Sequence, residues 1–268
     1  MLPTPRTDAG RDGLATLLAA PATALLALDF DGTLSPIVDD PAQSRLAPGG
    51  HEALLRLAGV LGTLAIVTGR PAGVVVELGQ LADIPGVVVA GQYGAERWYQ
   101  GELHVPDPPA GLATVRAILP GILADAPKGV WVEDKGLSLV VHTRPTADPA
   151  GALAALSSRV RRLASGHGLE ANDGRYVLEI RPPGVDKGGA LRALVAEFSP
   201  GVVAFGGDDL GDLPAYETVD ALRRDGTPGL TIASASAEVS EVADHADLVV
   251  DGPEGMVAFL NDLASSLP

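Results

Sequence analysis

Short apolar blocks that run straight into polar residues set the rhythm of the opening third of the chain. Leu25-Leu26-Ala27-Leu28 leads into Asp29-Phe30-Asp31-Gly32-Thr33-Leu34, Leu64-Ala65-Ile66-Val67 into Thr68-Gly69-Arg70, and Val87 to Ala90 into Gly91-Gln92-Tyr93-Gly94-Ala95-Glu96. Apolar runs of this length read as strands buried on both faces, the first spanning Ala24 to Phe30. Helical patterns lie around and between them. Leu14 to Ala20 predicts a short helix closed by Pro21. In His51 to Ala58 the residues Ala53, Leu54, Leu57 and Ala58 share one helix face, and Pro71 suits the first position of a helix reaching Gln80. Strand and helix alternating in this way predict an α/β fold built on a doubly wound parallel sheet.

The pattern then stops. Pro106-Asp107-Pro108-Pro109 punctuates the chain like a linker, and Pro182-Pro183-Gly184 does so again. Between them the expected order is helix (Leu112 to Ala124), strands (Val130 to Glu133 and Leu137 to Thr143), helix (Gly151 to Gly166) and strand (Tyr176 to Arg181). Two helices on a small antiparallel sheet make an inserted α+β module. The first pattern resumes with a helix over Gly188 to Phe198, a strand over Gly201 to Phe205 and a helix over Leu213 to Arg224. Short strands follow at Leu230 to Ala233 and Leu248 to Asp251, and a helix at Met256 to Leu263. The expected division is residues 1–105 with 185–268 as a Rossmann-like core, and 106–184 as the insertion.

Charge narrows the partners. Acids outnumber Lys plus Arg by 34 to 19, a formal charge of −15 over 268 residues. Such a surface repels nucleic acid and anionic membranes, so neither is an expected partner. No apolar run is long enough to cross a bilayer, and Met1 to Gly13 has no signal-peptide architecture and reads as a loose polar lead. The absence of cysteine excludes disulfides and thiol catalysis and fits a cytoplasmic protein, with a monomer as the expected state. The basic residues are 16 Arg and three Lys: Lys128, Lys135 and Lys187. A position that stays Lys in such a chain points to a need for a compact point charge.

The polar ends of the predicted core strands carry the candidate chemistry. In a parallel sheet Asp29 and Asp31, Thr68 and Arg70, and Asp208, Asp209 and Asp212 converge on one edge, and Lys187 stands at a helix start. A carboxylate nucleophile, a second acid, a hydroxyl, a lysine cation and further acids for a metal are what phosphoryl transfer to a carboxylate requires. A helix–loop–helix calcium site does not fit. It wants Gly at its sixth position and Glu at its twelfth, and counting from Asp29 gives Leu34 and Asp40. No Gly-x-x-x-x-Gly-Lys loop is present, which argues against a nucleoside triphosphatase.

Asp29-Phe30-Asp31-Gly32-Thr33-Leu34 resembles the first motif of the haloacid dehalogenase-like phosphatase superfamily. Thr68, Lys187 and Gly207-Asp208-Asp209-Leu210-Gly211-Asp212 match its second, third and fourth motifs in order, and the inserted module sits where that superfamily carries a large cap. Within it, the chain resembles the trehalose-6-phosphate phosphatases. That likeness rests on Asp29 to Ile37, Val67 to Arg70, Tyr93 to Glu96, Val132 to Gly136, Val141 to Arg144 and Gly174 to Pro182. Two positions depart from the family pattern: Arg175 replaces a Lys, and Gly211-Asp212-Leu213 replaces Thr-Asp-Glu.

The resemblance implies a Mg²⁺-dependent phosphatase that hydrolyses trehalose 6-phosphate through an aspartyl-phosphate. It implies Asp29 as nucleophile, Asp31 as general acid and base, and Thr68 and Lys187 as holders of the phosphoryl oxygens. Mg²⁺ is expected on Asp29, the Asp31 carbonyl and Asp208. Asp209 and Asp212 are expected in support, with Asp212 orienting Lys187 or a metal-bound water. Arg70, Glu133, Lys135, Arg144, Arg175 and Glu179 are expected to contact a small-molecule sugar phosphate. The alternatives are a related phosphatase for sucrose phosphate or a glucosyl- or mannosyl-3-phosphoglycerate, and a non-catalytic phosphosugar-binding protein. His142 reads as a packed or hydrogen-bonded strand residue, and Trp98 and Trp131 as core or cap-interface anchors.

Overall fold

The computed structural model describes residues 2–38, 40–174, 176–235 and 241–268. The chain divides into two compact units, 1–105 with 186–268, and 106–185.

In the first unit an eight-stranded sheet is assembled from β1 (Ala24–Leu28), β2 (Thr63–Val67), β3 (Val88–Gly91), β4 (Glu96–Tyr99) and β5 (Glu102–His104), with three strands from after the insertion. The second unit supplies β6 (Trp131–Asp134), β7 (Leu139–His142), β8 (Glu170–Gly174) and β9 (Val177–Arg181). The returning chain adds β10 (Val202–Gly207), β11 (Gly229–Ala235) and β12 (Leu248–Asp251) to the first sheet. Its order is β12-β11-β10-β1-β2-β3-β4-β5, parallel from β12 to β3. β1 has β2 on one side and β10 on the other, so the strand order reverses there. Open α/β sheets bind ligands beyond the carboxyl ends of their strands at such a switch point.

The apolar blocks are continuous because both faces are covered. Leu26, Leu28, Leu64 and Ile66 face one layer, with α1 (Asp8–Ala19), α2 (Gly50–Ala58), α3 (Ala72–Leu78) and α9 (Gly252–Ser266) contributing to it. Leu25, Ala27, Ala65 and Val67 face the other, with α6 (Lys187–Phe198), α7 (Leu213–Arg224) and α8 (Glu241–Asp244). The second unit packs α4 (Leu112–Ile122) and α5 (Pro149–Ser165) against one face of an antiparallel sheet ordered β6-β7-β9-β8.

Several elements depart from the expectation. The polar lead is helical from Asp8, because Thr7 caps the helix by accepting from Gly10 N–H, and Gly10 and Gly13 are buried. A hairpin of β4 and β5 extends the sheet antiparallel to β3. Its turn, Gln100-Gly101, has φ of 52° and 84°, the left-handed pair that suits a tight hairpin. β8 went unpredicted because Glu-Ala-Asn-Asp-Gly has one apolar position, Ala171, which faces the helices.

Candidate active site

Backbone register brings the acidic side chains together. Leu28 pairs with Ile66 on one side and Gly206 on the other. Thr68 and Asp208 therefore lie just past the ends of the strands that flank Asp29, whose N–H donates to the Gly206 carbonyl at 2.8 Å. Gly32, with φ of 80°, turns the chain under Asp208, where a Cβ would come within 2.0 Å of Asp208 Oδ2. No side chain fits there, which is a physical reason for Gly in that motif.

Lys187 opens α6, whose N-cap Asp186 accepts from Gly189 N–H at 2.7 Å. Its Nζ lies 2.8 Å from Asp29 Oδ1 and 2.7 Å from Asp212 Oδ1, and all three groups are buried. The second oxygen of Asp212 accepts from the backbone N–H groups of Asp208 at 2.9 Å and Asp209 at 3.1 Å. Asp209 and Asp212 form a reciprocal capping box around the turn Leu210–Asp212. Asp212 is close enough to Asp29 and Asp208 to share a cation with them. Both of its oxygens are taken by N–H donors, however, so its geometry is that of an anchor for Lys187. Thr33 Oγ1 donates to Asp208 Oδ1 at 3.2 Å, a contact the sequence reading did not include although Thr33 lies in the opening motif.

Burial pushes the Asp29 carboxyl well above the usual carboxylate range; Lys187 opposes this, while Asp212, Asp208 and Asp209 reinforce it. Burial, with Asp212 and Asp209, pushes Asp208 up to about 7. Burial alone would pull the Lys187 ammonium down, but Asp212 and Asp29 outweigh it and hold it well above its ordinary value.

Asp31 is held apart from this cluster. Arg70 grips it with both arms, Nε to Oδ2 and Nη2 to Oδ1, each at 2.6 Å, while Nη1 donates to the Pro41 carbonyl at 2.8 Å. Ser44 Oγ donates to Asp31 Oδ1 at 3.2 Å; this partner was missed because the loop holding it has no periodicity. Thr68 is buried and its Oγ1 accepts from Arg70 N–H at 3.1 Å. The loop after β2 is braced from the turn that follows β3, where Gln92 N–H donates to the Arg70 carbonyl at 2.8 Å and Tyr93 N–H to the Thr68 carbonyl at 2.9 Å. Buried Glu96 accepts from Ala72 N–H at 2.7 Å and Gln92 Nε2 at 2.5 Å, which fixes this brace to the start of α3.

The second unit groups three of its predicted residues on one sheet face. The buried Glu179 carboxylate meets Lys135 Nζ at 3.1 Å, Ser138 Oγ at 3.3 Å and Arg181 Nη1 at 3.3 Å. Glu133 Oε2 lies 2.9 Å from His142 Nε2, in line with the hydrogen-bonded role expected of that histidine. Arg144 lies beyond the end of β7 and is exposed, and Arg175 lies outside the described residues. Trp98 is buried in the first unit, as expected. Trp131 is not a core residue: it is 48% exposed.

The cluster fits a divalent cation. One oxygen each of Asp29, Asp208 and Asp212 lie within 4.8 Å of one another, all from buried residues. With Asp212 spent on Lys187 and backbone N–H groups, Asp29 and Asp208 remain as crowded carboxylates that a hard, oxygen-seeking ion such as Mg²⁺ would relieve. A testable sign follows. A carboxyl whose folded-state pKa is raised contributes stability that is complete below its unfolded value of 3.8 and is lost as pH rises through about 7. A divalent cation held here, tested with added Mg²⁺ by thermal scanning with and without chelator, is therefore expected to raise Tm more at about pH 8 than at about pH 5. A shift that is equal at the two pH values, or larger at the lower, counts against cation binding at Asp208.

The fold and site define a class. A solved haloacid dehalogenase-like hydrolase from Bacteroides thetaiotaomicron matches with a TM-score of 0.65 over 90% of this chain and 99% of its own, at 16% identity, and so shares the fold. The family model described as Trehalose-phosphatase matches residues 27–254, and the chain belongs to that family. It is 34% identical over 267 residues to the trehalose-phosphate phosphatase of Mycobacterium tuberculosis strain H37Rv, covering 95% of this chain and 64% of that relative. A crystal structure of a trehalose-6-phosphate phosphatase related protein matches with a TM-score of 0.70 and 26% identity, over 90% of this chain and 97% of that one. The chain thus spans less than two thirds, 64%, of the length of the curated relative. No described helix is long and apolar enough to cross a membrane.

Proposed function

We propose that the chain is a phosphomonoester hydrolase that releases trehalose and inorganic phosphate from trehalose 6-phosphate. The single observation that carries this reading is the buried Lys187 cation bridging Asp29 and Asp212 at the sheet's switch point, with Asp31 two residues further on. Family membership supplies the substrate class.

In the first step an Asp29 oxygen attacks phosphorus, the bond from phosphorus to the sugar oxygen breaks, and Asp31 delivers a proton to that oxygen. In the second, Asp31 takes a proton from water, the water oxygen attacks phosphorus, and the Asp29 carboxylate is regenerated. Lys187 and Thr68 hold the phosphoryl oxygens, with Lys187 balancing the charge that grows in the transition state. Arg70 and Ser44 fix the orientation of the Asp31 carboxylate. Asp29, Asp208 and the Asp31 backbone carbonyl would hold Mg²⁺, which supplies positive charge where a carboxylate must approach a phosphate dianion.

Residues 1–105 with 186–268 then form the catalytic core, and 106–185 the cap that selects the sugar. Glu133, Lys135, Arg144, Arg175 and Glu179 are its proposed sugar contacts. Buried charged groups that pair with hydroxyls reject a sugar that leaves them unpaired. The enzyme works as a monomer in the cytoplasm.

Phosphate release across a panel of sugar phosphates tests the reading. Trehalose 6-phosphate is expected to exceed glucose 6-phosphate in kcat/KM by about a hundredfold or more. Turnover no faster than with glucose 6-phosphate sinks the substrate assignment, and preference for sucrose phosphate or a glycosyl-phosphoglycerate moves it to that sugar.

A further inference from the structure

Trp131 is the side chain that the reading above leaves without a use. It sits on β6, the edge strand of the second unit's sheet, directly opposite His142 on β7. An exposed Trp on an edge strand is an association hazard that natural sheets avoid unless the ring has a task. Here the ring is held in a defined plane. Indole and imidazole lie 4.1 Å apart between centroids with 6° between their planes, and the imidazole is tied to Glu133 at 2.9 Å. His142 covers one face of the indole, and the residue as a whole remains 48% exposed.

The surroundings indicate what the open face suits. Glu133 follows Trp131 at i+2 on the same strand, so both project from one sheet face. Glu133 pairs with Val140, and Val140 with Glu179, which continues that face across three strands. It is the face opposite the one packed by α4 and α5. A flat aromatic ring flanked by carboxylates matches a pyranose, which offers a face of C–H groups ringed by hydroxyl donors. An apolar protein segment would leave those carboxylates buried against it without hydroxyl partners.

We infer that Trp131, stacked on His142, is the platform of a sugar subsite that takes one pyranose ring of the substrate. The inference rests on the phosphatase reading for its substrate, while its geometry stands on the second unit alone.

The chain contains two Trp, and the other, Trp98, is buried in the first unit, so intrinsic fluorescence reports on the platform. Titration of the intact protein with trehalose alone is expected to give a saturable change in emission. Inorganic phosphate alone is expected to give none, and the trehalose response is expected to vanish in Trp131→Phe. A flat titration, or a change that persists in Trp131→Phe, overturns the platform. In steady state Trp131→Ala is expected to raise KM for trehalose 6-phosphate about tenfold. For acetyl phosphate, which carries no ring, the rise should be smaller. Equal rises for the two substrates also overturn it. A saturable Trp131 response in a chain that releases no phosphate sinks the phosphatase reading and leaves the subsite standing. Turnover with a flat titration does the reverse.

Discussion

Asp29→Asn is expected to lower turnover of trehalose 6-phosphate by about 10⁴-fold or more, with the fold intact. The amide keeps the shape of the carboxylate and removes its nucleophilic oxygen. Stability should change little. Asp29 is a buried acid disfavoured by burial and by Asp212 and Asp208, so neutralising it removes repulsion as well as the contact to Lys187. Lys187 keeps Asp212 at 2.7 Å. Phosphate release and circular dichroism on the same preparation check both halves. Residual activity above about one per cent excludes an aspartyl-phosphate at this residue. Acid quenching of the parent enzyme during turnover should trap phosphate on the protein, and the variant should trap none.

Lys187→Met is expected to cost both activity and stability. It removes the cation that lies between Asp29 and Asp212, both buried, and leaves several acids facing one another. Breaking a buried pair from one side costs about 3–5 kcal/mol, because the remaining charge has no water to replace its partner. Loss of the positive charge in the transition state should lower kcat by about 10²–10³-fold. The stability deficit carries a pH signature. The carboxylates left behind take up protons more readily at low pH, so the deficit measured by urea unfolding is smaller at about pH 5 than at about pH 8. Lys187→Arg is not expected to rescue, since the planar fork is larger and the ammonium here fills a point between two oxygens. A deficit below about 1 kcal/mol at either pH contradicts the buried bridge.

Much of this site was legible because its signals are local. A strand buried on both faces is written as an unbroken apolar run, so the positions of β1, β2 and β10 followed from pattern, and the polar residues past their ends followed from where each run stopped. The separation into a core and an insertion was legible for a similar reason: alternation ceases between two proline-rich stretches. Elements whose stabilisation comes from distant partners were not legible. β8 is polar and exists because β9 pairs with it. The start of α1 depends on Thr7 as a cap, on Gly10, which lies against the Asp247 side chain, and on Gly13, which lies against the Gly229 backbone. Glu96 is one more acid in the sequence, and only in the folded chain does its buried carboxylate join α3 to the turn that braces Thr68 and Arg70.

The sequence by itself determined the opening strand, its two acids, the order of the strand-end motifs and the single lysine among many arginines that stands at a helix start. These depend on composition and spacing, which survive in one dimension. Tertiary structure decided how the charges pair. Asp29 and Asp31, two residues apart, receive different cations, Lys187 and Arg70, because β1 ends at Leu28 and the chain turns toward Gly32, so the rule that puts i and i+2 on one strand face no longer holds. It also decided that Asp212 spends both oxygens on N–H donors, and that Trp131 lies stacked and open on an edge strand. Charge pairing and exposure are sums over neighbours from every part of the chain, and those neighbours meet only when it folds.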